Sequence, residues 1–480
     1  MVYSAAVNPS PQVVAGAVED EGLVRAIGLG SAVLFVIGSV IGSGIFLTTG
    51  GMAAVIPSAP LLLSAWVLGG VLAIAGGLTY AEMGAMFPRS GGVYVFLREA
   101  YGPLTAFLYG WAALFVVISG GIAAVAVGFA EYLSYFIPAA SPKLVLFSLP
   151  TFWEPMTISA GQLVAALSIL TLGAVNYVGV RTGNMVNAVL TGAKVCGLAA
   201  LPIMALVAWR VHPVLSPIVP PELARPAASF GVAMIAVLWT YEAWYFITYA
   251  AGEIRDPQRN IPRALILGIL ALTSVYVVVN LAYFFALTVD EMRGVTRIAE
   301  RAATALVGPG GATFVALTVV VSTFGCNAAA ILAGSRLLFA MASDGVFLPA
   351  ARSVHPRYHT PHLAIIALTI WSTILALSGT YEQLFTYVMF ASILFSVAAG
   401  LALFRLRYTM PERPRPYRTW GYPVVPLVFI AGAAAFVLNT LLERPGESIA
   451  GLGLLALGLP VYWYWRRGRG APPRPHGIHH

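Results

Sequence analysis

Long apolar stretches alternate with short polar segments along the chain. A transmembrane helix needs about 20 mostly apolar residues, and the pattern predicts about twelve such helices. We expect them at residues 27–56, 62–87, 103–137, 157–179, 184–209, 230–252, 262–288, 308–342, 361–379, 383–404, 421–441 and 448–465. Several stretches are longer than a bilayer requires, which indicates tilted or interrupted helices.

The composition agrees with an all-α membrane protein. Hydrophobic residues make up 59% of the 480 residues and charged residues 10%, whereas a soluble domain is about 45–50% apolar and about 25% charged. This excludes an ordinary soluble enzyme, a disordered protein and a disulfide scaffold. The net charge of +8 is assigned to loop arginines at the membrane surface, so we expect a lipid bilayer and no nucleic acid as partner.

The two ends of the chain are predicted to lie in the cytoplasm. Residues 1–22 lack the pattern of a signal peptide and form an N-terminal tail, and residues 466–480 form a C-terminal tail. With the N-terminus inside, 18 of the 27 Lys and Arg residues fall on the cytoplasmic side and seven outside. Positive residues favour the cytoplasmic side, so we expect a multi-pass protein of the inner membrane.

The first apolar stretch contains three glycines and two serines between Gly38 and Gly44, in mid-membrane. Glycine-rich segments often form close helix contacts, so one interpretation is a packing seam. The other is an unwound segment whose backbone N–H groups bind an anionic group of a substrate, as in many transporters.

The sixth stretch carries a glutamate, Glu242, among the aromatic residues Trp239, Tyr241 and Trp244. A carboxylate inside a membrane is costly and faces protein or water. It could make a structural hydrogen bond between helices, or belong to a substrate site. The first and sixth stretches are the same element in two five-helix halves, and matching interruptions favour the second interpretation.

One of the two lysines, Lys194, lies about ten residues inside the fifth stretch. It could extend to the headgroups. Alternatively, its ammonium group is buried and replaces a bound cation, held by carbonyls and hydroxyls of neighbouring helices. Ser322 and Cys326 share one face of the eighth stretch, with Thr323 beside them, and could supply such groups.

Six motifs resemble the amino acid–polyamine–organocation (APC) superfamily, and within it the L-type amino acid transporters and their bacterial serine/threonine and alanine-serine-cysteine exchangers. They lie, in order, at residues 41–46, 81–92, 252–263, 322–325, 334–339 and 415–423. The resemblance implies a LeuT-type 5+5 inverted repeat with two additional C-terminal helices. The transporter domain would span 23–465, with repeats at about 27–209 and 230–404 and the extra helices at about 421–465.

The resemblance also implies roles for individual residues. Gly42, Ser43 and Gly44 would bind the substrate carboxylate, and carbonyls near Gly38 and Ile41 and in the unwound sixth helix would bind the α-amino group. Trp239 would be a gate, and Glu242 would face the substrate side chain. The full set expected to bind substrate is Ile41, Gly42, Ser43, Gly44, Ile45, Trp239, Thr240, Tyr241, Glu242 and Ala243. Lys194 would take the place of a sodium ion, near Gly38, Ser322, Thr323 and Cys326.

The chain departs from the family pattern at three places. Ala243 stands where glycine is common, which should narrow the pocket or stiffen the break. Cys326 stands where many relatives have serine. The loop at 138–156 lacks the cysteine that joins eukaryotic relatives to a glycoprotein subunit. We therefore expect no such subunit, a prokaryotic source, and a monomer or homo-oligomer.

The prediction is a sodium-independent transporter or exchanger of neutral L-amino acids that works by alternating access. Two alternatives stay open: a cationic amino acid or polyamine transporter that uses Glu242, and a proton-coupled symporter. We expect no enzyme activity, because Glu242 has no partner carboxylate for acid–base chemistry, and the isolated polar positions disfavour a channel. No metal-ligand spacing or phosphate-binding loop is found, so no metal or other cofactor is predicted.

Overall fold

The computed structural model describes residues 25–149, 156–178, 180–208, 219–221, 223–379 and 381–468. Residues 1–22 and most of 466–480, the predicted tails, lie outside the described residues. The helices are α1 Leu29–Val40, α2 Gly44–Val55, α3 Ala59–Met86, α4 Val93–Tyr101, α5 Pro103–Ala112, α6 Ile118–Leu133, α7 Ala160–Val178, α8 Val180–Ala208, α9 Pro226–Tyr241, α10 Pro257–Ala286, α11 Val289–Met292, α12 Ile298–Val307, α13 Pro309–Ser343, α14 His362–Ser378, α15 Tyr381–Thr409, α16 Val424–Glu443 and α17 Pro445–Gly468.

Short elements complete the described part of the chain. A π-helical segment, Ala113–Val117, joins α5 to α6, and 3-10 turns lie at Pro138–Ala140, Trp244–Thr248, Ala251–Glu253 and Pro349–Arg352. Strands β1 Val145–Leu149 and β2 Met156–Ser159 pair antiparallel between α6 and α7. We expected a loop here, but the Val-Leu-Phe run of β1 favours a strand.

The helices account for the predicted apolar stretches and confirm an all-α membrane protein. Among the described residues, nine helical segments are long and apolar enough to span a bilayer. Shorter apolar helices at Lys194–Ala208, His362–Ser378 and Gly451–Tyr464 lie in the predicted fifth, ninth and twelfth stretches. The total of about twelve crossings therefore stays a prediction.

The first and sixth stretches are both interrupted. The first consists of α1 and α2, separated by Ile41–Ser43, and the sixth changes from α9 to 3-10 turns after Tyr241. The start of the first stretch also contacts the backbone at the end of the sixth stretch. The backbone N–H of Ile27 donates to the carbonyl of Glu253 at 2.9 Å, and that of Arg255 donates to the carbonyl of Ile27 at 2.9 Å.

A tyrosine of α10 holds the two interruptions together. The hydroxyl of Tyr276 lies 3.3 Å from the carbonyl oxygen of Val40 and 3.2 Å from that of Thr240. These carbonyls lie at the last turns of α1 and α9, where a helix lacks its own donors. The Trp66 ring of α3 packs against Tyr276, with ring centroids 5.9 Å apart. The ends of both broken helices are thereby fixed at one place in the fold.

Candidate functional site: a cavity between two helix breaks

At the first break, the backbone of Gly42 and Gly44 lies close to two other helices, α13 and α9. A Cβ atom at Gly42 would lie 3.1 Å from the Sγ of Cys326 on α13, and one at Gly44 would lie 3.0 Å from the Cα of Thr240 on α9. The contact at Gly44 includes backbone and requires glycine, whereas a side chain at Gly42 would require the Cys326 thiol to shift slightly. The α2 helix begins at Gly44, and the N–H of Phe46 donates to the carbonyl of Ser43 at 3.1 Å. The N–H groups that precede Phe46 in the first turn have no acceptor within the helix. These N–H groups and the positive end of the helix dipole favour a carboxylate.

The second break is made by an extended residue and a left-handed one. Glu242 has φ −63° and ψ 164°, and Ala243 has φ 73°. The left-handed region costs a residue with a Cβ atom about 1–2 kcal/mol relative to the right-handed one. Ala243, which stands where the resemblance implies glycine, therefore adds strain to this turn. That it stiffens the break or narrows the pocket stays a prediction.

A cavity of about 50 Å³ lies between the two breaks. Of the ten residues expected to contact substrate, seven line it: Gly42, Ser43, Gly44, Trp239, Thr240, Glu242 and Ala243. Further wall residues come from the π segment, α6, α13 and α15, among them Ile118, Ile122, Asn327 and Val388.

Ile41, Ile45 and Tyr241 lie outside the cavity wall, contrary to expectation. The Tyr241 hydroxyl points to α3, where it donates to the carbonyl of Trp66 at 3.2 Å. The carbonyl of Ile45 accepts from the Tyr283 hydroxyl at 3.0 Å. Tyr241 and Ile45 therefore contact the surrounding helices α3 and α10.

Trp239 is connected to the first break through one hydroxyl. Its indole N–H donates to the Tyr381 hydroxyl at 3.0 Å, and the Ser43 hydroxyl donates to the same oxygen at 3.1 Å. The indole also stacks on Phe385, with centroids 5.8 Å apart and planes 23° apart. Trp239 is therefore held over the cavity by the N-terminal end of α15.

Glu242 is held by hydroxyl groups at the other end of the cavity. Its Oε1 accepts hydrogen bonds from the hydroxyls of Tyr245 and Ser392, each at 2.5 Å. The nearby Thr240 hydroxyl donates instead to the carbonyl of Ala236 at 2.8 Å. A carboxylate with two donors is stabilised within the protein without a cationic partner.

These contacts mark two ends of the cavity along α15. Tyr381 and Ser392 are eleven residues apart on that helix, which corresponds to about 16 Å at 1.5 Å per residue. Val388 lies between them and lines the cavity. Beyond Ser392, the hydroxyls of Tyr109 and Tyr249 are hydrogen-bonded to each other. The cavity thus has aromatic contacts at both ends.

Lys194 is fully buried and directed at the first break. Its Nζ donates to the carbonyl of Gly38 at 2.7 Å and to that of Ile41 at 3.0 Å, and lies 3.5 Å from that of Ser322. The interpretation that Lys194 extends to the headgroups is therefore wrong. We expected the carbonyls of Gly38 and Ile41 to bind the α-amino group of the substrate. Both carbonyls already accept hydrogen bonds from the ammonium group of Lys194, which would therefore compete with the substrate for them.

We expected the side chains of Ser322, Thr323 and Cys326 to hold the ammonium group of Lys194, but they donate hydrogen bonds to backbone carbonyls. The Ser322 hydroxyl donates to the Ile41 carbonyl at 3.1 Å, and the Cys326 thiol donates to the Ser39 carbonyl at 3.1 Å. The Thr323 hydroxyl donates within its own helix, to Val319 at 2.8 Å. The ammonium group of Lys194 is therefore surrounded by backbone carbonyl oxygens, those of Gly38, Ile41 and Ser322, rather than by side-chain oxygens.

Sequence reasoning missed Tyr245, Asn327, Tyr381 and Ser392. Tyr245 stands three residues after Glu242, a spacing that could have indicated the contact. Asn327 and Ser392 are polar residues inside apolar helices, which is a signal for a function. Tyr381 begins a helix and has no sequence signal that distinguishes it from a surface tyrosine.

Comparison with known proteins shows similarity to amino acid permeases. A sequence profile described as amino acid permease matches residues 27–452. The serine/threonine exchanger SteT of Bacillus subtilis is 32% identical over 93% of this chain and 98% of its own. The human b(0,+)-type amino acid transporter 1 is 30% identical over 88% of this chain and 84% of its own. The human large neutral amino acids transporter small subunit 2 is 30% identical over 92% of this chain and 81% of its own.

These matches confirm the resemblance inferred from the six motifs, and they place the chain with transporters rather than with membrane enzymes. They cover both interrupted stretches, Lys194 and the cavity wall. The chain belongs to the amino acid permease family.

Proposed function

We propose that this protein exchanges small neutral L-amino acids across the inner membrane by alternating access, without sodium. The observation that carries the proposal is the ammonium group of Lys194 among the carbonyls of Gly38, Ile41 and Ser322. Carbonyl oxygens from an unwound helix and a neighbouring helix are the ligands that transporters use for a coupling ion. An ammonium group that belongs to the chain would take the place of sodium between these carbonyls.

The two breaks would bind the main-chain groups of the substrate. The carboxylate would accept hydrogen bonds from the backbone N–H groups of the segment Gly42–Gly44. The α-amino group would bind to carbonyl oxygens at the breaks. Since Lys194 occupies part of the acceptor capacity of Gly38 and Ile41, Glu242 becomes a second candidate acceptor for the α-amino group.

The size of the cavity favours a small substrate. At about 50 Å³ the cavity is smaller than the roughly 150 Å³ engineered cavity that holds a benzene molecule. A long cationic side chain would require the wall to move apart. The two hydroxyl donors on Glu242 further support neutral substrates, because the carboxylate is already stabilised.

Alternating access follows from the contacts at the two ends of the cavity. Release to the outside would break the contact between Trp239 and Tyr381. Release to the inside would separate Tyr109 from Tyr249, near the buried ion pair between Arg336 and Glu253, which lies at 2.7 Å. Opening one end while the other stays closed moves substrate without a continuous pore.

The division into two inverted five-helix repeats and two extra helices, with both termini in the cytoplasm, belongs to the same proposal. It is supported by the matching breaks and by the distribution of arginines.

One relative is by name a small subunit. The two cysteines of this chain are Cys196 and Cys326, so the loop at 138–156 has no thiol for a partner subunit, and we propose a monomer or homo-oligomer.

The alternatives make different demands on the same residues. A transporter of cationic amino acids or polyamines would pair Glu242 with the substrate charge. A proton-coupled symporter would need Lys194 or Glu242 to change protonation within the cycle.

The test is a competition panel of the twenty amino acids against labelled serine in proteoliposomes loaded with serine. We expect inhibition by small neutral amino acids and none by arginine; strong inhibition by arginine would contradict the neutral assignment.

A further inference from the structure

Asn327 is a cavity residue whose amide the proposed function leaves unused. Its side chain is 1% exposed and it lines the cavity. Its Oδ1 atom has no hydrogen-bond partner among the described residues. A buried acceptor without a partner is rare and unfavourable. The cavity is where a partner for this oxygen would arrive.

Two other buried asparagines, Asn280 and Asn176, have hydrogen-bond partners for their amides. The amide of Asn280 donates to the carbonyl of Tyr276 at 2.8 Å and accepts from the Thr49 hydroxyl at 2.9 Å. The amide of Asn176 donates to the carbonyl of Leu172 at 3.0 Å. Those two amides have partners, whereas the carbonyl oxygen of Asn327 is buried and has none among the described residues.

The position of Asn327 assigns it to the side-chain end of the pocket. The breaks supply main-chain donors and acceptors on one wall. The wall contributed by the π segment, α6, α13 and α15 is apolar and includes Ile118, Ile122, Ala330 and Val388. Among the described residues of that wall, the polar side chains are those of Asn327 and Cys326, and the Cys326 thiol already donates to the carbonyl of Ser39.

We propose that the Oδ1 atom of Asn327 accepts a hydrogen bond from the side-chain hydroxyl of the substrate. The proposal rests on the proposed function and narrows it: the protein prefers serine and threonine to apolar amino acids of the same size. An apolar analogue would fill the pocket but leave the acceptor buried without a partner, and sites of this kind discriminate strongly against the analogue that lacks the hydroxyl.

The first test compares isosteric pairs on the unmodified protein. Inhibition of labelled serine uptake is measured for threonine against valine, and for serine against L-2-aminobutyrate. We expect the hydroxyl member to bind about tenfold more tightly, which corresponds to about 1.4 kcal/mol. O-methylserine, which has an oxygen but no hydroxyl proton, should behave like 2-aminobutyrate. Equal inhibition within each pair would overturn the proposal.

The second test changes the residue. Asn327→Leu should reduce the threonine-to-valine preference to about twofold or less. The matched control is Val388→Ala, which alters the same wall without changing an acceptor and should shift both inhibition constants together. A preference that stays tenfold in Asn327→Leu would overturn the proposal. If Asn327→Leu is inactive, the isosteric pairs decide, and absence of any amino acid uptake by the unmodified protein would instead contradict the proposed function.

Discussion

The Nζ atom of Lys194 lies 2.7 Å from the carbonyl oxygen of Gly38, in the last turn of α1 before the first break. The same atom contacts the carbonyl of Ile41, within the break. One charged side chain of α8 therefore stabilises the backbone at the point where the first span stops being helical. Its removal would leave these carbonyls buried without a cation.

Replacing Lys194 by alanine should reduce transport more than tenfold. The Gly38 carbonyl would lose the donor it has in the ammonium group, which costs about 1–3 kcal/mol, and the break would lose its defined geometry. The measurement is exchange of labelled serine, normalised to the protein present in the membrane. Lys143→Ala is the matched control, because Lys143 is an exposed loop lysine; wild-type exchange by Lys194→Ala would contradict the account.

Gly44→Val should abolish uptake while the protein stays in the membrane. The new side chain would collide with Thr240 across the cavity, and a β-branched residue would also cover the N–H groups offered to the carboxylate. Gly51→Val in the same helix is the control, since a Cβ atom there meets no atom within 4 Å. Normal uptake by Gly44→Val would mean that the first break serves packing and not binding.

Trp239→Ala should weaken the apparent affinity for substrate or uncouple closure, because the indole is the group held over the cavity. The affinity is measured as the concentration for half-maximal uptake. Unchanged uptake kinetics in Trp239→Ala would mean that Trp239 serves packing and not closure of the cavity.

Tyr381→Phe should weaken the apparent affinity about fivefold. The hydroxyl holds both Trp239 and Ser43, and a hydrogen bond of this type contributes about 1 kcal/mol. Tyr387→Phe, at an exposed tyrosine of the same helix, is the control. An equal effect of the two substitutions would show that the contact with Trp239 does not stabilise the closed state.

Glu242→Gln should leave arginine a poor inhibitor of serine uptake, as in the unmodified protein. Its hydroxyl donors, Tyr245 and Ser392, stabilise the carboxylate, so no cationic side chain is required. Strong inhibition by arginine that disappears in Glu242→Gln would make this a transporter of cationic amino acids. Inhibition by alanine in the same experiment reports whether the variant still binds substrate.

The breaks could be predicted from the sequence because they interrupt a regular pattern. Glycine and serine between Gly38 and Gly44, and the carboxylate of Glu242, are exceptions in apolar helices. A buried lysine is a similar exception. The long helices themselves follow from hydropathy, because a bilayer forces backbone groups to pair within the helix.

The partners of these residues could not be predicted in the same way. Trp239 and Tyr381 are 142 residues apart, and their contact depends on how the helices pack. The ligands of Lys194 are backbone carbonyls, which every residue possesses and no residue type indicates. The unpaired oxygen of Asn327 is likewise a property of the assembled cavity, since its neighbours on three helices determine what it lacks.

The most direct test of the central claim is uptake of labelled serine by proteoliposomes in choline buffer without sodium, with vesicles either loaded with unlabelled serine or empty. The account predicts rapid uptake into loaded vesicles, little uptake into empty ones, and no change when sodium replaces choline. Uptake that stops in choline and returns with sodium would contradict the role assigned to Lys194. Accumulation in empty vesicles driven by an inward proton gradient would contradict exchange.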